Sequence, residues 1–187
     1  MKDNKYYELQ AQLSLPFLST SSEALAQIFK TLEKRFGLKK RSTQKLIDLG
    51  AGNGNVIIFS ALNYSIASIG IEISDILINE IKERIKILKE KKIYLSKILH
   101  KIDIKKGDLF QQDLNNFDFV YLFSLPTMQK YLKHVFLTAK EGTIFISYKY
   151  PLDGFDSILK LEHVLDMKLK RDLLKTYFYE KLNSSAL

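Results

Sequence analysis

Asp48, Glu72 and Asp108 each stand at or just beyond the end of a segment of strand length. Asp48 lies in "LIDLGAGNGNV" (residues 46–56), Glu72 in "IASIGIEI" and Asp108 in "KKGDLF". Gly50, Gly52 and Gly54 follow the first acid. A glycine turn between a strand and a helix lets backbone approach a ligand closely, and the helix N-terminus adds amide donors. A phosphate-binding Walker loop would end in Gly-Lys-Ser/Thr, which is absent. A dinucleotide loop would need glycine where Asn55 stands. An acid two residues before the first glycine repels pyrophosphate and suits a ligand carrying a cationic amine. Glu72 is placed to accept hydrogen bonds from ribose hydroxyls, and Asp108 from an adenine amino group. Singly, each feature has a plainer reading: the loop as a turn, Asp108 as a helix N-cap. Three acids at three successive strand ends point to ligand binding.

A second group lies in "FSLPTMQKYL", residues 123–132, where Ser124, Pro126 and Thr127 follow a further strand end beside the same crevice. Ser124 and Thr127 are candidates for orienting an acceptor or relaying a proton through water. Tyr121, Tyr148 and Tyr150 are equally readable as packing residues on a sheet. His100, His134 and His163 are scattered over charged segments and suggest neither a metal ligand nor a base. The absence of cysteine excludes disulfides, zinc-cysteine sites and thiol nucleophiles. No metal site is expected.

These residues need a scaffold that brings strand ends together. With 187 residues, 46% hydrophobic, the expectation is a single globular domain over 1–187, with residues 1–44 as a helical lead-in. After a turn around Pro16, N-cap candidates at Ser19 to Ser22 precede Ala24, Leu25, Ile28, Leu32 and Phe36 at helical spacing, and Gly37 stops the pattern. Strands are expected over 45–49, 66–73, 102–106, 117–123 and 143–149. Helices are expected over "VIIFSAL", over 75–92, in "IYLSKILHK" and in "MQKYLKHVFLTA". The alternation implies a parallel sheet covered by helices on both faces. Residues 160–169 and 175–182 read as two strands forming an antiparallel end, with a helix around Leu173 to Phe178 as the alternative.

The net charge is +8, and lysines crowd residues 79–106. Such a patch attracts nucleic acid, acidic protein or anionic lipid, while its plainer reading is a solvated helix face with Glu83 paired to Lys86. Charges and tyrosines in "MKDNKYYELQAQ" argue against a targeting segment. The uncharged stretch 49–71 carries too many glycines, asparagines and serines for a membrane span. A soluble, cytoplasmic protein without stable membrane insertion is expected.

Together, "IDLGAGNG", "IGIEIS", "KGDLF" and "FDFVYLFSLP" resemble the four motifs of class I S-adenosylmethionine-dependent methyltransferases, over about residues 15–150. With "LPFLSTSSEAL" and "EGTIFISYKYPL", the chain looks most similar to the small archaeal protein-lysine methyltransferases and their mitochondrial relatives. The resemblance implies an α/β, Rossmann-like fold whose central, mostly parallel sheet has seven strands, and S-adenosyl-L-methionine as cofactor. It puts Asp48 and Gly50 by the methionine moiety, Glu72 at the ribose, and Asp108 with Leu109 at the adenine, and counts Gly52, Asn53 and Ile73 among the cofactor-binding residues. Thr20 helps close the cofactor site, Phe123 borders it, and Ser124, Pro126 and Thr127 position the substrate. A protein lysine side chain is the implied acceptor. RNA methylation, supported by the basic excess, and a non-catalytic binding protein of the same fold are the alternatives. The chain departs from the family's Gly-Asp-Gly-Arg at residues 52–55, which read Gly-Asn-Gly-Asn.

Overall fold

A computed structural model describes residues 19–91, 94–169 and 172–183. The turn expected around Pro16 and a helix end at Lys92 lie outside the described residues. The first helix, α1 (Ser22–Arg35), begins where the Ser21 hydroxyl accepts from the Ala24 amide at 3.2 Å. Its buried stripe is Ala24, Leu25, Ile28, Phe29 and Leu32, the 3.6-residue pattern of a core-facing helix. The chain turns out of it at Gly37, in the left-handed region at φ 68°.

Two strand–helix units and a third strand follow: β1 (Lys45–Leu49), α2 (Asn55–Tyr64), β2 (Ala67–Glu72), α3 (Asp75–Glu90), a short α4 (Ser96–Leu99) and β3 (Ile102–Lys106). Then come β4 (Phe119–Leu122), α5 (Pro126–Gln129), α6 (Lys133–Leu137), β5 (Ile144–Tyr148), β6 (Leu159–Leu169) and β7 (Asp172–Lys181). The seven strands form one sheet in the order β3-β2-β1-β4-β5-β7-β6. β1 to β5 run parallel, and β7 pairs antiparallel with both β5 and β6. The order reverses between β1 and β4, where the carboxyl ends of the strands open a crevice.

The central strands are buried on both sides, and their alternating side chains feed two cores. Leu46, Phe119, Tyr121 and Ile146 meet α1, α2 and α3 on one face. Ile47, Leu49, Val120 and Phe145 meet Val135 and Phe136 of α6 and the loop residues Leu152, Phe155 and Ile158 on the other. Helices cover both faces, as the sequence pattern implied. The antiparallel end is also as expected, and the helical alternative for the tail is set aside.

Two expectations need correction. The helix read through "MQKYLKHVFLTA" is broken into α5 and α6. Tyr131 and Leu132 donate to carbonyls three residues back, and Gln129 turns inward so that its amide donates to the Ser124 carbonyl at 3.1 Å. That buried polar anchor replaces the apolar residue that would have continued the helical stripe. Likewise "IYLSKILHK" supplies only the single turn of α4, because β3 begins at Ile102 and Ser68 must donate to the Lys101 carbonyl. No helix among the described residues is long and apolar enough to cross a membrane.

Candidate functional site

The glycine loop is held by the next strand. Gly50 and Ala51 both donate to the Ile71 carbonyl, at 3.0 and 2.8 Å, so the chain leaving β1 folds over the end of β2. Gly54 caps α2 at φ 74° without a side-chain cap bond. A Cβ there would lie 2.9 Å from Ile81 Cγ1 of α3, so glycine is required for both conformation and space. Asn53 Oδ1 accepts from the Asn55 amide and closes the turn into the helix.

Glu72 is buried and fully engaged by backbone. Its Oε2 accepts from the Gly52 amide at 2.8 Å, and its Oε1 from the amides of Ile73 and Ser74 at 2.8 and 2.9 Å. Three amide donors fix the carboxylate across the crevice; Oε1 is filled by two of them, while Oε2, with one, keeps acceptor capacity for a further hydroxyl. Asp48 sits opposite Gly70 on one neighbour and Tyr121 on the other. It is 2% exposed and forms no hydrogen bond among the described residues. Burial first, and the Glu72 carboxylate second, push its carboxyl well above the usual range. A cationic group brought to Asp48 would offset both costs.

Tyr121, also buried, shares a 2.7 Å hydrogen bond with Thr20 Oγ1. Burial holds its hydroxyl in the protonated form against the smaller effect of that bond. Thr20 is thereby fixed over the end of β4. Asp108 acts as the plainer reading had it: Oδ1 caps the 3-10 turn Leu109–Gln111 by accepting from the Phe110 amide at 2.8 Å. It remains partly exposed, and Leu109 comes near Gly50, with Cδ2 3.8 Å from where a Cβ would stand. Ile73, 54% exposed, lies beside Glu72 on the rim.

Beyond β4 the character changes from fixed acids to aromatics. Phe123 meets Tyr148 edge-on at 5.1 Å and stacks with Tyr150 at 6.3 Å. The Lys149 ammonium lies 5.2 Å from the Phe123 ring centroid and 5.7 Å from that of Tyr148. Lys149 itself takes φ 68°, a conformation lysine rarely adopts, which turns its stem over those rings. Ser124 Oγ is buried with no hydrogen-bond partner among the described residues, whereas Pro126 and Thr127 are exposed at the start of α5.

The expected residues therefore lie at or just beyond the carboxyl ends of β1 to β4, with Thr20 brought to β4 from the segment before α1. Reading the sequence alone missed Arg84, Lys149 and Gln129. Nothing in their local context separates Arg84 or Lys149 from the other cations of a basic chain.

A cradle of glycine turns, a backbone-pinned acid and a buried Asp48 with no hydrogen bond among the described residues fit an adenosine ligand bearing an ammonium group. The sequence model described as the ANTKMT methyltransferase domain matches residues 48–158, more than half of the chain. The chain belongs to this methyltransferase family. It is an S-adenosylmethionine-dependent methyltransferase. No curated protein matches its sequence. Among solved structures, an RNA methyltransferase from Salinibacter ruber in complex with S-adenosyl-L-homocysteine is 20% identical with a TM-score of 0.70, covering 89% of this chain and 95% of that one. The human methyltransferase 10 domain containing protein is 12% identical, TM-score 0.66, over 89% and 86%. A B. subtilis tRNA methyltransferase is 13% identical, TM-score 0.62, over 91% and 70%. At these identities the likeness is one of fold, and the methyltransferase shares it along most of its length.

Proposed function

We propose that this methyltransferase transfers a methyl group to the side-chain amine of a protein lysine. The reading rests on where an ammonium already sits. Lys149 holds its own over Phe123 and Tyr148, beside Ser124, at the carboxyl ends of β4 and β5. A surface that seats one alkylammonium through ring faces suits another.

S-adenosylmethionine, when bound, supplies an electrophilic methyl group on a sulfonium. In this reading Asp48 and the Gly50, Gly52 and Asn53 turn hold the amino-acid end. Glu72 and Ile73 hold the ribose, Asp108 and Leu109 the adenine, and Thr20 and Phe123 the sides. Ser124, Pro126 and Thr127 position the acceptor. An attacking amine must be neutral, and lysine ordinarily titrates at about 10.4. The rings seat the arriving side chain, the positive charge of Lys149 beside them favours its uncharged form, and the Ser124 hydroxyl, with no hydrogen-bond partner among the described residues, can orient the nitrogen. The displaced proton leaves to solvent.

A second reading, methylation of RNA, is favoured by one observation. A groove of about 370 Å³ between α3 and β3 has Lys82, Lys86 and Lys89 on its rim and Ile85, Ile102 and Ile104 on its floor. It opens at the start of β3, away from the strand ends that carry the candidate site, and so ranks second. Incubation with methyl-labelled cofactor and a cell lysate, with and without ribonuclease, tests both. Label in protein that survives ribonuclease and maps to lysine is expected, with its loss in Asp48→Ala. Label in RNA would overturn the lysine reading.

A further inference from the structure

Arg84 lies half-buried on α3, one turn beyond Ile81, the residue that packs under Gly54. Its guanidinium does not pair with a neighbouring acid of its own helix. Nη1 donates to the Asn53 carbonyl, and Nη2 donates to Asn55 Oδ1 at 3.0 Å. Asn55 in turn donates from Nδ2 to the Thr20 carbonyl at 3.1 Å, and Thr20 Oγ1 reaches Tyr121. A continuous run of hydrogen bonds thus leads from α3 through the glycine loop to the segment before α1, and ends on β4.

We propose that Arg84 is a positioning residue that sets cofactor affinity by locking the glycine loop and the Thr20 segment together. The inference rests on the reading of that loop as the cofactor site. A loop built on left-handed glycines has many accessible conformations, and each must be given up when a ligand is bound. Two donors in the rigid fork of one guanidinium fix the Asn53 carbonyl and the Asn55 side chain at once. Their orientation is then set before a ligand arrives, which lowers the entropy lost on binding. Asn55 does two jobs: its oxygen receives Arg84, and its amide group holds the Thr20 carbonyl. An aspartate at 55 would keep the first link and break the second. The Gly-Asn-Gly-Asn sequence is thus answered by an arginine some thirty residues further along the chain.

Calorimetric titration of the full chain with S-adenosylhomocysteine tests this without any acceptor. Arg84→Met is expected to weaken binding on the order of tenfold, the effect of losing charge-assisted hydrogen bonds. Arg84→Lys, which keeps the charge but not the fork, should recover part of that loss. Asn55→Asp should weaken binding roughly threefold by releasing Thr20 alone. Amide hydrogen exchange over residues 52–58 should quicken in Arg84→Met while the global unfolding midpoint holds. Should Arg84→Met fail to fold, Arg84→Lys carries the comparison. Binding by a folded Arg84 variant within about twofold of the wild type, or unchanged exchange in the loop, would overturn the proposal. Failure of the wild type to bind, or binding indifferent to Asp48→Ala, would instead overturn the reading of the site.

Discussion

The two halves of the crevice are built by different means. On the β1–β2 side, acids are fixed by backbone: Glu72 accepts three amides, and the glycine loop donates twice to Ile71. On the β4–β5 side, position comes from side chains packed on side chains. Phe123 lies among Tyr148, Tyr150 and Lys149, and the Ser124 hydroxyl has no partner among the described residues. A ligand common to a whole family can be met by backbone geometry, which tolerates sequence change. An acceptor that varies must be met by groups free to vary with it.

Glu72→Ala should give the largest effect, because it leaves the Gly52, Ile73 and Ser74 amides without their acceptor. S-adenosylhomocysteine affinity is expected to fall on the order of a hundredfold, and stability in urea by about 2–4 kcal/mol. Retained affinity would break the contrast between the two halves.

Asp48→Asn should separate binding from stability. Affinity falls about tenfold or more, yet the ligand-free protein gains about 1 kcal/mol, or 2–4 °C in Tm. The sign follows from the raised carboxyl of Asp48. The fold favours its protonated form, so that contribution to stability is present at acid pH. It is lost as pH climbs from the ordinary carboxylate value through the raised one. The same titration should strengthen ligand binding with rising pH, and Asp48→Asn should flatten both profiles. A lower Tm in Asp48→Asn would count against strain at this acid.

Ser124→Ala addresses the other half. Removing a buried hydroxyl that has no partner among the described residues should leave thermal stability unchanged or slightly raised, and ligand affinity within about twofold. Turnover should fall about three- to tenfold if the hydroxyl orients the acceptor, read as kcat at saturating cofactor. Smallest of all, replacing Lys82, Lys86 and Lys89 together with glutamine should leave methylation of a protein acceptor within about twofold. A flattened salt dependence with RNA as acceptor would bring the α3–β3 groove into the mechanism.

The same division governs how much was legible beforehand. The strand ends at Asp48 and Glu72 and the left-handed glycines are local features, stated by a few adjacent residues, and most element boundaries follow apolar periodicity. The break between α5 and α6 was not legible, because it depends on Gln129 reaching the Ser124 carbonyl rather than on any helix-breaking residue at the break. Asp108 showed both of its readings in sequence, and only the structure revealed that it caps the turn at Leu109. Arg84 was hidden within a lysine-rich helix. Its significance lies in Asn53 and Asn55, partners about thirty residues away.

The sequence by itself determined an alternating α/β chain with an acid and glycines at the end of β1 and further acids beyond β2 and β3. Hydrophobic period and backbone permissiveness are properties of short segments, and they suffice for that much. Only the tertiary structure decided that Glu72 spends its carboxylate on three amides, that Lys149 lies over the rings beyond β4, and that Arg84 closes the loop. Each of those outcomes depends on groups remote in sequence becoming neighbours, where burial and hydrogen-bond geometry choose one partner among many chemically similar ones.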